Sequence, residues 1–171
     1  MKKTNRFSEK NNQTPLNSAL RYLAHQPRSI RQMNEYLVKK GFDEDMINKT
    51  IEKLLEQKYL DDEIFTRTFV DNRINHKPKS KFALAYELNQ KGIKSAVIED
   101  VLKNYDDQAL ALKAIEPKIK LWAHLDCGKF KKKILNFLQY RGFTYEVSMS
   151  LLNKLTQSEQ KNIDEKGENE N

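Results

Sequence analysis

Apolar residues recur along this chain at helical spacing, and they recur again at a longer period. Three glycines, Gly41, Gly92 and Gly142, stand 51 and 50 residues apart. Each is followed by a large apolar residue: Phe42, Ile93 and Phe143. A leucine lies four residues before each (Leu37, Leu88, Leu138), and Met33, Leu84 and Ile134 lie eight before. Met46, Val97 and Val147 follow each glycine by five residues, and Ile51, Leu102 and Leu152 follow by ten. A fixed period of this length signals a repeat architecture.

The unit has a physical reading. Positions eight and four before the glycine share one helical face. The glycine then ends that helix by entering the left-handed conformation, and the apolar residue after it packs back. Asp43, Thr144 and the pair Lys94-Ser95 stand where an N-cap belongs. A second amphipathic helix is expected after each glycine, over 45–59, 96–105 and 145–155. Upstream, further helices are expected over 18–25 (stopped by Pro27), 63–75 (capped by Asp61 or Asp62) and about 107–124. Pro117 lies inside the last and is expected to kink or split it.

The pattern therefore predicts an all-α fold of three tandem three-helix, helix-turn-helix-like repeats, over 16–60, 61–105 and 106–155. Units of this size are near the limit of independent stability, so neighbours should lean on one another in an elongated, curved array. Residues 1–15 and 156–171 hold few apolar groups and read as disordered tails, the second of them acidic.

Charge adds a partner class. The 171 residues carry a net +7. The C-terminal 16 residues hold five acidic and two basic groups, which leaves +10 on residues 1–155. Such a balance favours nucleic acid, a membrane surface or an acidic protein face. No apolar run approaches the roughly 18 residues that span a bilayer, and none follows Met1-Lys2-Lys3 as a secretory signal would require. A monomer in the cytoplasm, without membrane attachment, is expected. Cys127 is the single cysteine, so no internal disulfide can form.

The basic segments are the main candidates for contact. Residues 73–94 hold Arg73, Lys77, Lys79, Lys81, Lys91 and Lys94 against Glu87 alone. Residues 113–141 include Lys129, Lys131, Lys132, Lys133 and Arg141, with Glu116 and Asp126 opposing. This density suits a phosphate backbone, with a solvated helix face as the alternative. Arg73 and Glu87 read either as interface contacts or as an ion pair locking two helices. Tyr36, Tyr86 and Phe137 read as base-stacking groups or as core.

Enzyme chemistry finds no support in the residues. Asp61 and Asp62 have no histidine or third carboxylate spaced to complete a site, so they read as helix caps, with Tyr59 and Leu60 ending the previous helix in the core. His25, His76 and His124 match no ligand spacing. Gly128-Lys129 is no phosphate loop, because Ala123 and Phe130 replace the required glycine and hydroxyl. No catalytic residue, metal or cofactor is expected.

Three segments carry a resemblance. Tyr59-Leu60-Asp61-Asp62-Glu63-Ile64-Phe65, Phe69-Val70-Asp71-Asn72-Arg73 and Glu87-Leu88-Asn89-Gln90-Lys91-Gly92-Ile93 together resemble the signature of the RecX family. Upstream, Ala19 to Leu23, Arg28-Ser29 and Tyr36-Leu37 are similar as well, so the resemblance spans about 18–155. It departs in one place. Ser80 stands where many members of that family have glycine, and Phe82, Ala83 and Ala85 occupy positions that are often basic. The resemblance implies a regulator, mainly an inhibitor, of the RecA recombinase in DNA repair, homologous recombination and the SOS response. Such proteins lie along the groove of the RecA–DNA filament and block ATPase, strand exchange and filament extension. The competing expectation is a helix-turn-helix-like DNA-binding protein acting without RecA.

Overall fold

The computed structural model describes residues 14–167, with side chains described for 14–156. Among the described residues there are nine helices and no strand. The first unit is α1 (Pro15–His25), α2 (Ile30–Lys39) and α3 (Glu44–Glu56). The second is α4 (Asp62–His76), α5 (Lys81–Gln90) and α6 (Ser95–Leu102), and the third is α7 (Asp107–Trp122), α8 (Cys127–Tyr140) and α9 (Tyr145–Gly167). The expected all-α, three-unit fold is the observed one.

The middle helix of each unit is its anchor. Met33 and Leu37, Leu84 and Leu88, and Ile134 and Leu138 are all fully buried. Burial of each such side chain contributes about 1.5–3 kcal/mol relative to exposure. The first unit encloses its own apolar cluster, from Ala19 to Leu60, whereas the second and third share one continuous cluster from Phe65 to Leu152.

The glycine stops form as the spacing predicts. Gly41, Gly92 and Gly142 have φ of 82°, 79° and 87°. The N–H of Phe42, Ile93 and Phe143 donates back to the carbonyl of Leu37, Leu88 and Leu138 at 3.4, 3.2 and 3.0 Å. This closes the two-bond motif that satisfies a helix's last carbonyls. A fourth stop had no glycine to announce it. Lys58 adopts φ 58° after α3, and the Tyr59 N–H reaches the Leu54 carbonyl at 2.9 Å.

Several expectations require correction. Met46 is 46% exposed, and the position one residue later (Ile47, Ile98, Ser148) is buried instead. Val97 and Val147, at the same place in the other units, are half-buried against the shared core, so the expectation fails at Met46 alone. Tyr59 follows the Lys58 turn and is exposed, while Leu60 enters the core. α7 passes through Pro117 as one helix, so the proline removes a backbone bond without splitting the segment. Pro15 opens α1 and is buried, with the Thr14 hydroxyl accepting from the Asn17 N–H, so the first helix begins inside the expected tail. Residues 1–13 lie outside the described residues. At the other end the α9 backbone continues to Gly167, because residues 156–166 contain neither glycine nor proline to stop it.

The units join through a repeated pair of polar bonds. Asp61 and Asp106 are the N-caps of α4 and α7. The residue after each, Asp62 and Asp107, reaches into the preceding unit. The Ile30 N–H donates to Asp62 Oδ1 at 2.9 Å, and the Lys81 N–H donates to Asp107 Oδ1 at 2.8 Å. These amides open α2 and α5 and have no partner in their own helices. Ser29 and Ser80, the buried caps of those helices, supply the second bond. Ser29 Oγ donates to the Lys91 carbonyl at 2.6 Å, and the Ser80 N–H donates to the Arg141 carbonyl at 3.1 Å. Burial pushes the Asp62 carboxyl above its ordinary value, with Asp61 adding to the shift and the Ile30 N–H and Lys94 opposing it.

The third glycine also packs against this seam. A Cβ at Gly142 would stand 2.7 Å from Ala83 Cβ and 2.8 Å from Ser80 Oγ, whereas one at Gly41 meets nothing within 4 Å. Gly41→Ala should therefore cost only left-handed strain, about 1–2 kcal/mol. Gly142→Ala should cost about 2–5 kcal/mol, because overpacking adds to the strain. Urea unfolding compares them, and equal losses would show that the seam yields freely. In the same assay, Asp107→Ala should cost about 1–3 kcal/mol by stranding the Lys81 N–H. No loss would mean that water replaces the carboxylate there.

Candidate functional site

The connection from α4 to α5 carries the polar core of the second unit. Arg73 Nε donates to Glu87 Oε2 at 2.8 Å, and Lys79 Nζ donates to Glu87 Oε1. Glu87 is half-buried between them. Burial pushes its carboxyl up, but Lys79 and Arg73 outweigh that and hold it below its ordinary value. The ion pair between two helices is thus the arrangement present. It commits much of the charge of Arg73 and Lys79 internally. Ser80 caps α5 by accepting from the Ala83 N–H at 3.1 Å.

A cleft lies at each seam, and the two correspond by register. The first holds about 280 Å³ and places Arg28, Arg73 and Lys91 around Phe65, Phe69 and Pro27. The second holds about 470 Å³ and places Lys77, Lys113, Lys118 and Arg141 around Ala114, Phe137 and Pro78, with Glu116 as its acid. Pro27 and Pro78 are 51 residues apart, as Gly41 and Gly92 are. Lys91 and Arg141 are 50 apart, as Gly92 and Gly142 are, and Arg73 and Lys118 are 45 apart, as Asp62 and Asp107 are.

Aromatic faces hold four of these cations. Arg28 lies 4.0 Å over the Tyr22 ring, which itself stacks on Tyr36. Arg73 and Lys91 lie 5.0 and 5.2 Å from the Phe69 centroid. Arg141 lies 5.0 Å from that of Phe137, which meets Trp122 edge-on, and its Nη1 donates to the Pro78 carbonyl at 3.4 Å. Tyr36 and Phe137 therefore serve as packing for cations and not as free stacking surfaces. Tyr86 is exposed.

The other predicted contact residues lie elsewhere. Lys131, Lys132 and Lys133 are exposed on α8, with Lys133 5.2 Å from the Trp122 centroid. Lys129 pairs with Asp126 at 2.9 Å. Lys94 is exposed beside Asp62, and Lys81 borders an apolar groove with Phe82, which is 77% exposed. Reasoning from charge runs passed over Arg28 as a contact candidate. Lys118 lies in the basic segment 113–141, and the repeat register marks it out there as the counterpart of Arg73. Among the described residues no three or more His, Cys, Asp or Glu groups cluster as a metal site would need, and no helix is long and apolar enough to cross a membrane.

Comparison with known proteins agrees with this architecture unit by unit. The family models for RecX match in order: the first three-helix domain over residues 16–54, the second over 61–102 and the third over 105–152. The regulatory protein RecX of Chlorobium phaeobacteroides (strain BS1) is 37% identical over 125 residues, 73% of this chain and 82% of that protein. That of Prosthecochloris aestuarii (strain DSM 271 / SK 413) is 32% identical over 149 residues, 87% of this chain and 98% of that protein. The crystal structure of RecX from Lactobacillus salivarius has the same fold, with a TM-score of 0.70, 24% identity, and coverage of 84% of this chain and 95% of that one. Three matched domains in sequence order, together with relatives matched over most of both chains, place this chain in the RecX family of regulatory proteins.

Proposed function

We propose that this chain regulates RecA, mainly as an inhibitor, by lying along the groove of the RecA–DNA filament across neighbouring subunits. There it blocks ATP hydrolysis, strand exchange and filament extension by occupancy and charge, without chemistry of its own. Its place of action is the cytoplasm, where it works as a monomer. The observation that carries this reading is repetition: three similar units in one chain, with a basic cleft at each seam. A repeating ligand such as a filament rewards contacts made in series, since each further contact is intramolecular once the first has formed. The +10 charge on residues 1–155 favours a partner that carries DNA.

Lys131, Lys132 and Lys133 on α8 add exposed positive charge, and of the three Lys133 lies 5.2 Å from the Trp122 centroid. Single-strand-DNA-dependent ATP hydrolysis by the cognate RecA, with this protein titrated in at fixed salt, tests the reading. Inhibition is expected at well below one molecule per RecA subunit. The triple charge reversal Lys131→Glu, Lys132→Glu and Lys133→Glu should weaken inhibition and flatten its salt dependence while leaving the helix content unchanged. Absence of any inhibition by the unaltered protein, alongside tight binding to bare DNA, would favour the DNA-binding alternative.

A further inference from the structure

We propose that the two seam clefts are equivalent binding sites for backbone phosphates of single-stranded nucleic acid, one phosphate to each cleft. This rests on the filament reading for the presence of DNA at this face. Each cleft is assembled from the same three pieces: the loop before the second helix of one unit, the first helix of the next, and the residue just before that next unit's glycine stop. The cations contributed from equivalent places are Arg73 and Lys118, and Lys91 and Arg141. The lining of the first cleft holds three cations and no acid, with Glu87 outside the lining paired to Arg73, and that of the second holds four cations and one acid.

Two features point to an anion that the chain does not supply. Among the described residues Lys91 and Lys118 make no ion pair, in contrast to Arg73 and Lys79, whose charge goes to Glu87. In addition, Arg28 in the first cleft and Arg141 in the second each have a buried Nε with no hydrogen-bond acceptor. Each guanidinium is held against an aromatic ring, so its position is set while part of its donor capacity is unused. A phosphate entering either cleft would meet the ammonium of Lys91 or Lys118 beside that guanidinium, whose Nη groups already donate to the Gln26 amide oxygen in the first cleft and to the Pro78 carbonyl in the second. Repetition of the site at one register along the chain selects a ligand that repeats its charge along a backbone. A phosphodiester strand does this, whereas an isolated carboxylate on a protein surface does not.

The test is binding of a fluorescein-labelled oligothymidylate, followed by anisotropy over a salt series. It uses the full chain, the double variant Lys91→Gln/Lys118→Gln, and the control Lys49→Gln/Lys53→Gln. The control removes the same charge from exposed positions on α3. Each lost phosphate contact should lower the slope of log affinity against log salt by about 0.7, so the double variant should lose about 1.4 and each single variant about half of that. Thermal unfolding establishes that the variants remain folded. An unchanged slope in the double variant, an equal loss in the control, or no binding by the unaltered chain at low salt would each overturn the proposal. Loss of RecA inhibition with the DNA slope intact would also overturn it, by assigning the clefts to acidic groups on a protein. If the slopes fall as expected while the unaltered chain does not inhibit RecA, the clefts stand and the filament reading fails.

Discussion

A helix begins with N–H groups that its own backbone cannot satisfy, and here two of them are satisfied by the next unit along the chain. The Ile30 and Lys81 amides are each held by an aspartate that opens the following unit's first helix. A directional bond of this kind does what apolar contact alone cannot, because it fixes rotation as well as proximity. Ser29 and Ser80 add the second bond at each seam, so two points define each junction. The position of every cation in the clefts depends on this junction, since each cleft is walled by two units.

The repeat was legible because its glycines perform a backbone task that other residues perform at a cost. That regularity also placed the buried Leu37, Leu88 and Leu138 correctly. The Lys58 stop was not legible, because a lysine in the left-handed conformation leaves no compositional mark. Its consequence, an exposed Tyr59, was missed with it. Met46 was misplaced although Val97 and Val147, at the same spacing from their glycines, do pack against the core; in the first unit Ile47 fills that role instead. Pro117 and the continuation of α9 show the limits of local signals, since one breaker did not break a long helix and low apolar content did not end another.

The seam aspartates were legible in retrospect. Asp61-Asp62 and Asp106-Asp107 are adjacent acidic pairs in which one member caps its own helix and the other crosses to a neighbour. The first unit has no such pair before α1. Charge runs were a weaker guide than register. They grouped Arg73 and Lys79 with free lysines, although Glu87 takes both, and they left Arg28 out of the contact set. Lys91 and Arg141 became a matched pair only once the glycines were aligned.

The proposed regulation rests on two cationic clefts at matching register, each walled by two units that are joined by directional bonds. The most direct measurement of that claim is hydrogen–deuterium exchange on this protein with and without the RecA filament assembled on single-stranded DNA. Slower exchange is predicted at the two cleft loops, residues 26–29 and 76–80, with the outer face of α3 unaffected. Protection confined to α3, or absent from both loops, would contradict the account.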